Sequence, residues 1–246
     1  MFYIGNMLHD IFYNLGFDEK KGNYQENNFE KGGKGNDSLI IYSNFEECTE
    51  EEKRKDEHCT NGVPFTSTTI DGVPGIIMLP KLYNFGENRF VSSGTINHVM
   101  MHEYTHAVNA RMNGGPNYDC GLVKSSTDTA ALYEGWADFF SAAIQFNKKK
   151  NVDRNTTVIL DNIHNTDNVI TCDNDLKYSS LKHIRDSDDN YYYGGSVWKT
   201  MLYEAFYNIV ENYSYTSDYL QVYNDDESIP GNVLFVSEFH LIIIFN

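Results

Sequence analysis

Two histidines one helical turn apart constrain this chain more than any other feature. His102-Glu103-Tyr104-Thr105-His106 has the pattern H-E-x-x-H. On an α-helix residues i and i+4 share a face, so both imidazoles can reach one zinc ion while Glu103 stands beside the metal. The surrounding sequence predicts such a helix from about Ile96 to Met112, ended by Asn113, Gly114, Gly115 and Pro116. The chain has eight histidines, enough for the pentad to arise by chance, so a third ligand is required before a metal centre is inferred.

A catalytic zinc takes three protein ligands and keeps one position for water. Glu134, 28 residues after His106, lies on the next predicted helix, which starts near Thr127 or Asp128 and runs to Lys148, Lys149 and Lys150. In Glu134-Gly135-Trp136-Ala137-Asp138, the aspartate follows by one turn on the same face. There its carboxylate can accept the free ring N–H of a ligand histidine and fix the tautomer. The expected centre is one Zn2+ held by His102, His106 and Glu134, with Asp138 behind the ligands. Such a zinc acidifies water, and Glu103 is placed to take the proton and return it to the leaving amine of a cleaved peptide.

Composition narrows the alternatives. Nineteen basic against thirty-five acidic residues leave a net charge of −16, which repels phosphate backbones and excludes nucleic acid as an expected partner. No apolar window of about 18 residues exists, so no membrane span is expected, and the run from Leu241 to Phe245 is far too short for one. His9 and Asp10 interrupt the apolar pattern of the first fifteen residues, and no basic leader precedes it, so this segment does not read as a signal peptide. The 246 residues, 41% of them hydrophobic, suffice for a substantial core, and the chain reads as one domain.

Other features are weaker. Cys48, Cys59, Cys120 and Cys172 allow three pairings in an oxidising compartment, with Cys48 and Cys59 closing a short loop, or stand as buried thiols. Sequons occur at Asn36, Asn155 and Asn212. The cluster Glu46, Glu47, Glu50, Glu51 and Glu52 could attract a hard cation but reads as a solvated face, and no motif supports a calcium site. An amphipathic helix is predicted over 2–15, ending at Gly16, with strands around Leu39 to Tyr42 and over 76–79. Most of 23–65 reads as loop, a late helix spans Val197 to Val210, and the back half is expected to be mainly helical.

HEYTH at 102–106, GGP at 114–116, Cys120 and EGWADFF at 134–140 together resemble the fungalysin family of secreted fungal metallopeptidases. Upstream, Phe2-Tyr3, Asn6, His9-Asp10, Gly16-Phe17, Glu19, Gly22-Asn23 and Gln25 are similar to the family's FY..N..HD segment. Gly32-Gly33, Gly35-Asn36-Asp37 and Asp71-Gly72 continue the likeness, which spans roughly 2–211. The resemblance implies an α+β, thermolysin-like two-lobed fold with the active-site helix at the cleft. Approximately 1–113 would form the N-terminal lobe with that helix, and 114–246 a helical C-terminal lobe. It also implies secretion, a propeptide, broad endoproteolysis of extracellular proteins, and the same ligands and catalytic glutamate that the spacing identifies.

This chain departs from the family in three places. Where the family has V-H-x-x-G-x-x-W, it reads from Tyr191 to Trp198 with Tyr192 in the histidine's place. A phenol can donate to an oxyanion, so Tyr192 is a candidate, with Tyr193 and His183 as alternatives and simple packing as a further reading. Met1 directly precedes the FY..N..HD segment, the family's arginine-tyrosine-proline segment is not evident between Asn147 and Tyr178, and the resemblance fades after about Tyr213, so the chain is expected to be truncated at both ends. The competing expectations are a zinc-binding but catalytically impaired or fragmentary homologue, a non-catalytic acidic interaction domain, and an aminopeptidase, for which no amine-capturing motif is present.

Overall fold

In the computed structural model the described residues are 1–45, 64–67, 69–84, 89–118, 127–146, 158–161, 168–170, 177, 179, 190–223 and 228–242. Helix α1 (Phe2–Asn14) is followed by strands β1 (Ile40–Phe45), β2 (Phe65–Ser67), β3 (Ile76–Asn84) and β4 (Arg89–Ser92). Helices α2 (Asn97–Met112) and α3 (Thr127–Gln145), strands β5 (Val158–Asp161) and β6 (Asn168–Ile170), and helices α4 (Asn190–Asn212) and α5 (Gly231–Ile242) complete the chain. The class is α+β, with five helices and a small mixed sheet among the described residues.

The predicted first helix forms because Leu8, Ile11 and Phe12 fall on one stripe and bury it against α2. It ends where Gly16, at φ +103°, turns the chain so that the amide of Phe17 returns to the carbonyl of Phe12 at 2.8 Å. Phe12 then stacks on Tyr104 of α2, with ring centroids 5.7 Å apart, and meets Phe140 of α3 at 5.8 Å. Each such buried ring contributes about 2–3 kcal/mol, an upper figure because denatured chains already hide some of that surface.

Strand β3 is the centre of the sheet. It pairs in parallel with β1, Ile40 opposite Ile76, and antiparallel with β2, Thr66 opposite Ile77, while its second half pairs antiparallel with β4. Ile77 and Leu79 alternate into the core, both fully buried. The strand predicted over 76–79 is therefore the first half of a longer one.

Helix α2 is enclosed almost all round, between α1, the sheet and α3, and His102 is its one partly buried residue between His98 and Met112. Near its C-terminal end the guanidinium of Arg111, 1% exposed, donates to Asp37 at 2.6 Å and to the carbonyls of Gly22, Thr69, Ile70 and Val73. It also lies over the ring of Tyr24 at 3.7 Å. One side chain thus ties the helix carrying the histidines to two loops through their backbone carbonyls.

Two expectations need correction. The late helix α4 begins at Asn190 rather than near Val197, and α3, expected to run to Lys148, Lys149 and Lys150, ends at Gln145; beside its helices the back half holds the short antiparallel pair β5–β6, with Val158 opposite Ile170. The four cysteines, the acidic cluster of 46–52, Asn155, His183 and Lys148 to Lys150 lie outside the described residues.

Candidate metal centre

Helix α3 packs across α2 and is backed by α4, and this stack sets the geometry of the centre. Its close approach depends on two glycines. A Cβ on Gly135 would lie 2.6 Å from the carbonyl oxygen of Gly195, and one on Gly195 would lie 3.2 Å from Glu134 Cβ. On its other side α3 presents Glu134 and Asp138 to the face of α2 that carries His102 and His106.

Nε2 of His102 lies 2.9 Å from Nε2 of His106 and 3.1 Å from Oε2 of Glu134, and Nε2 of His106 lies 3.5 Å from the same oxygen. Ligands about 2.0–2.1 Å from a tetrahedral zinc stand about 3.3 Å from one another, so this set matches a zinc cradle to within a few tenths of an ångström. Nδ1 of His102 lies 2.8 Å from Oδ1 of Asp138. A neutral His102 donating that N–H leaves its Nε2 lone pair directed towards His106 and Glu134. Two imidazole nitrogens and a carboxylate oxygen then converge, an arrangement that a metal cation would stabilise.

The electrostatics point the same way. Burial disfavours charge on His102, yet Asp138 and Glu134 hold its pKa well above the ordinary histidine value. Burial likewise opposes ionisation of Glu134, but His106 and His102 outweigh it and keep the carboxyl well below its usual range. For Asp138, burial is outweighed by the ammonium of Lys199 and by His102 and His98, again with a strong downward shift. The pocket is organised to hold positive charge among these groups.

Behind the ligands, Lys199 of α4 is buried and donates to Oδ2 of Asp138 at 2.8 Å, and Nε2 of His98 lies 3.4 Å from Oδ1. His98, His102 and Asp138 thus form a second cluster with metal-ligand spacing, but the ammonium on the same carboxylate repels a second cation there. Glu103 is 4% exposed, and its Oε2 accepts a hydrogen bond from the Thr66 hydroxyl of β2 at 2.7 Å. The ring of Tyr133 covers His106.

A family model described as fungalysin metallopeptidase (M36) matches residues 1–241. The chain belongs to the fungalysin metallopeptidases.

Curated relatives point the same way. The chain is 32% identical over 222 residues to extracellular metalloproteinase 5 of Trichophyton tonsurans, covering 87% of this chain and 33% of that protein. It is 32% identical over 231 residues to extracellular metalloproteinase 3 of Arthroderma otae, covering 89% of this chain and 33% of the relative. With extracellular metalloproteinase 4 of Arthroderma otae it shares 31% over 218 residues, 87% of this chain and 31% of the relative. This fungalysin chain therefore spans about a third of the length of the curated relatives it matches.

Of the residues singled out in the sequence of this fungalysin, His102, His106, Glu134 and Asp138 meet in one cluster, with Glu103 on the same helical turn as the two histidines. Tyr192 stands near the N-terminal end of α4, 49% exposed, one turn before the Gly195 that abuts Glu134. Thr66, His98, Tyr133 and Lys199 were not anticipated. His98 had a signal, since it precedes His102 by the same four residues that separate His102 from His106. The other three act through contacts across the fold, which spacing does not reveal.

Proposed function

We propose that this chain hydrolyses internal peptide bonds of extracellular proteins at a single zinc ion held by His102, His106 and Glu134. The observation that carries the reading is the convergence of two imidazole nitrogens and one carboxylate oxygen within 3.5 Å of one another, beside a glutamate of the same helix. A zinc ion there would supply Lewis-acid chemistry, acidifying water and polarising a peptide carbonyl. Glu103 takes the proton of the attacking water and passes it to the leaving nitrogen. Asp138 holds His102 in the tautomer that leaves Nε2 free to bind metal, and Tyr192 donates its phenol to the oxygen that becomes negative.

The thermolysin-like, two-lobed arrangement belongs to the same reading. The placement of α2 between the sheet and the α3–α4 pair supports it, with the division near residue 113. The names of the relatives, extracellular metalloproteinases, support secretion and protein substrates. No helix among the described residues is long and apolar enough to cross a membrane.

A peptide blocked at both ends tests the reading. Cleavage at an internal bond, abolished by phenanthroline and restored by zinc, is the expected result. Cleavage only of peptides with a free amino terminus would replace it with an aminopeptidase.

A further inference from the structure

We infer that Thr66 is a positioning residue for Glu103, locking the carboxylate arm from the edge of the sheet; this rests on the reading of Glu103 as the base. The hydroxyl of Thr66 lies 2.7 Å from Oε2 of Glu103 and 2.8 Å from the backbone carbonyl oxygen of the same residue. One hydroxyl therefore bridges the end of the glutamate side chain and its own helix. Such a bridge confines a side chain with three rotatable bonds to the rotamer that lets both acceptors meet one donor.

The lock is needed because Glu103 is 4% exposed and so has little access to water, while Thr66 is its one side-chain hydrogen-bond partner among the described residues. A hydrogen bond to a charged acceptor in such surroundings is stronger than one between neutral groups. Oε1 has no hydrogen-bond partner among the described residues and is left for proton transfer.

Thr66 is itself held still. Its backbone pairs with Ile77, a fully buried residue of the central strand, and its neighbours Phe65 and Ser67 are exposed while Thr66 is partly buried against α2. β-Branching further restricts χ1, so the direction of the hydroxyl follows from the strand. A mobile loop serine could make the same bond without giving the same precision.

Kinetics on the zinc-loaded 246-residue chain with a doubly blocked peptide test the inference, comparing Thr66→Val with Thr66→Ser. The valine variant keeps the shape of the side chain and loses the hydroxyl. It should lower kcat about ten- to a hundredfold with KM little changed, and serine should restore most of the rate. Zinc affinity, read by competition with a chromophoric chelator, should match the wild type in both variants. Wild-type kcat in Thr66→Val would overturn the assignment, and so would a parallel loss of zinc.

A second measurement does not depend on activity. In a double-mutant cycle on melting temperature, Thr66→Val should cost stability beside Glu103 and little beside Glu103→Ala. Equal costs in the two backgrounds would overturn the lock. If the wild type cleaves no peptide, the reading of Glu103 as base fails, and the cycle still decides whether Thr66 holds its carboxylate.

Discussion

Tyr133 lies flat on His106 of the candidate metal centre, with ring centroids 4.2 Å apart and 22° between the planes, and its hydroxyl donates to the backbone carbonyl of that histidine at 2.7 Å. His106 has no hydrogen bond at its buried Nδ1 among the described residues, so stacking takes over the orientation that such a bond gives His102. Tyr133→Leu should weaken zinc binding about tenfold or more, in the range seen when residues supporting a ligand are lost. Tyr133→Phe keeps the stack and should weaken it less. Chelator competition titrations measure both, and equal affinities in all three proteins would dismiss the stacking role.

Buried Lys199 pairs with the partly buried Asp138 behind His102, and their separate loss should be read differently. Asp138→Asn retains an acceptor for the His102 N–H but removes the charge, so zinc affinity should fall by about ten- to a hundredfold. Lys199→Met leaves a partly buried carboxylate without its ammonium and should cost about 1–3 kcal/mol in urea unfolding. Combining the two substitutions should cost less than the sum, because the neutral amide no longer needs the lysine. Strict additivity would show that the pair acts as two independent residues.

At the crossing of α3 and α4, Gly195→Ala places a methyl group 3.1 Å from the carbonyl oxygen of Ala131 and 3.2 Å from Glu134 Cβ. Separating the helices to admit it should cost about 1–3 kcal/mol and shift Glu134 away from the histidines, lowering melting temperature and zinc affinity together. A variant that melts earlier but binds zinc as tightly would mean that Glu134 follows α2 rather than α4.

Tyr192→Phe removes only the phenol hydroxyl. On the proposed reading kcat should fall by about tenfold or more, as for a lost oxyanion donor, with zinc affinity and melting temperature unchanged. Full activity in that variant would assign the tyrosine to packing and leave oxyanion stabilisation to another group.

The parts of this molecule that were legible before its structure are those whose chemistry is local in sequence. Helix α2 was expected from Ile96 to Met112 and spans Asn97–Met112, because its histidines repeat every four residues and Gly-Gly-Pro stops it. Glu134 and Asp138 were legible for the same reason. Helix α4 starts seven residues before Val197, where its helical spacing becomes legible, since Gly194 and Gly195 weaken a helical pattern and only the packing of α3 explains a glycine there. The β5–β6 pair was hidden by the short, Asn- and Asp-rich segments around it. Thr66 and Lys199 were illegible because each reaches its carboxylate across 37 or 61 residues of chain.

The central claim is that His102, His106 and Glu134 hold a zinc ion at which Glu103 does the proton transfer. Metal analysis and blocked-peptide cleavage, run side by side on the wild type and on Glu103→Gln, test it most directly. About one zinc per chain in both proteins, with cleavage by the wild type alone, is the predicted result. A folded wild-type chain that takes up no zinc, or a Glu103→Gln variant that cleaves as fast as the wild type, would contradict it.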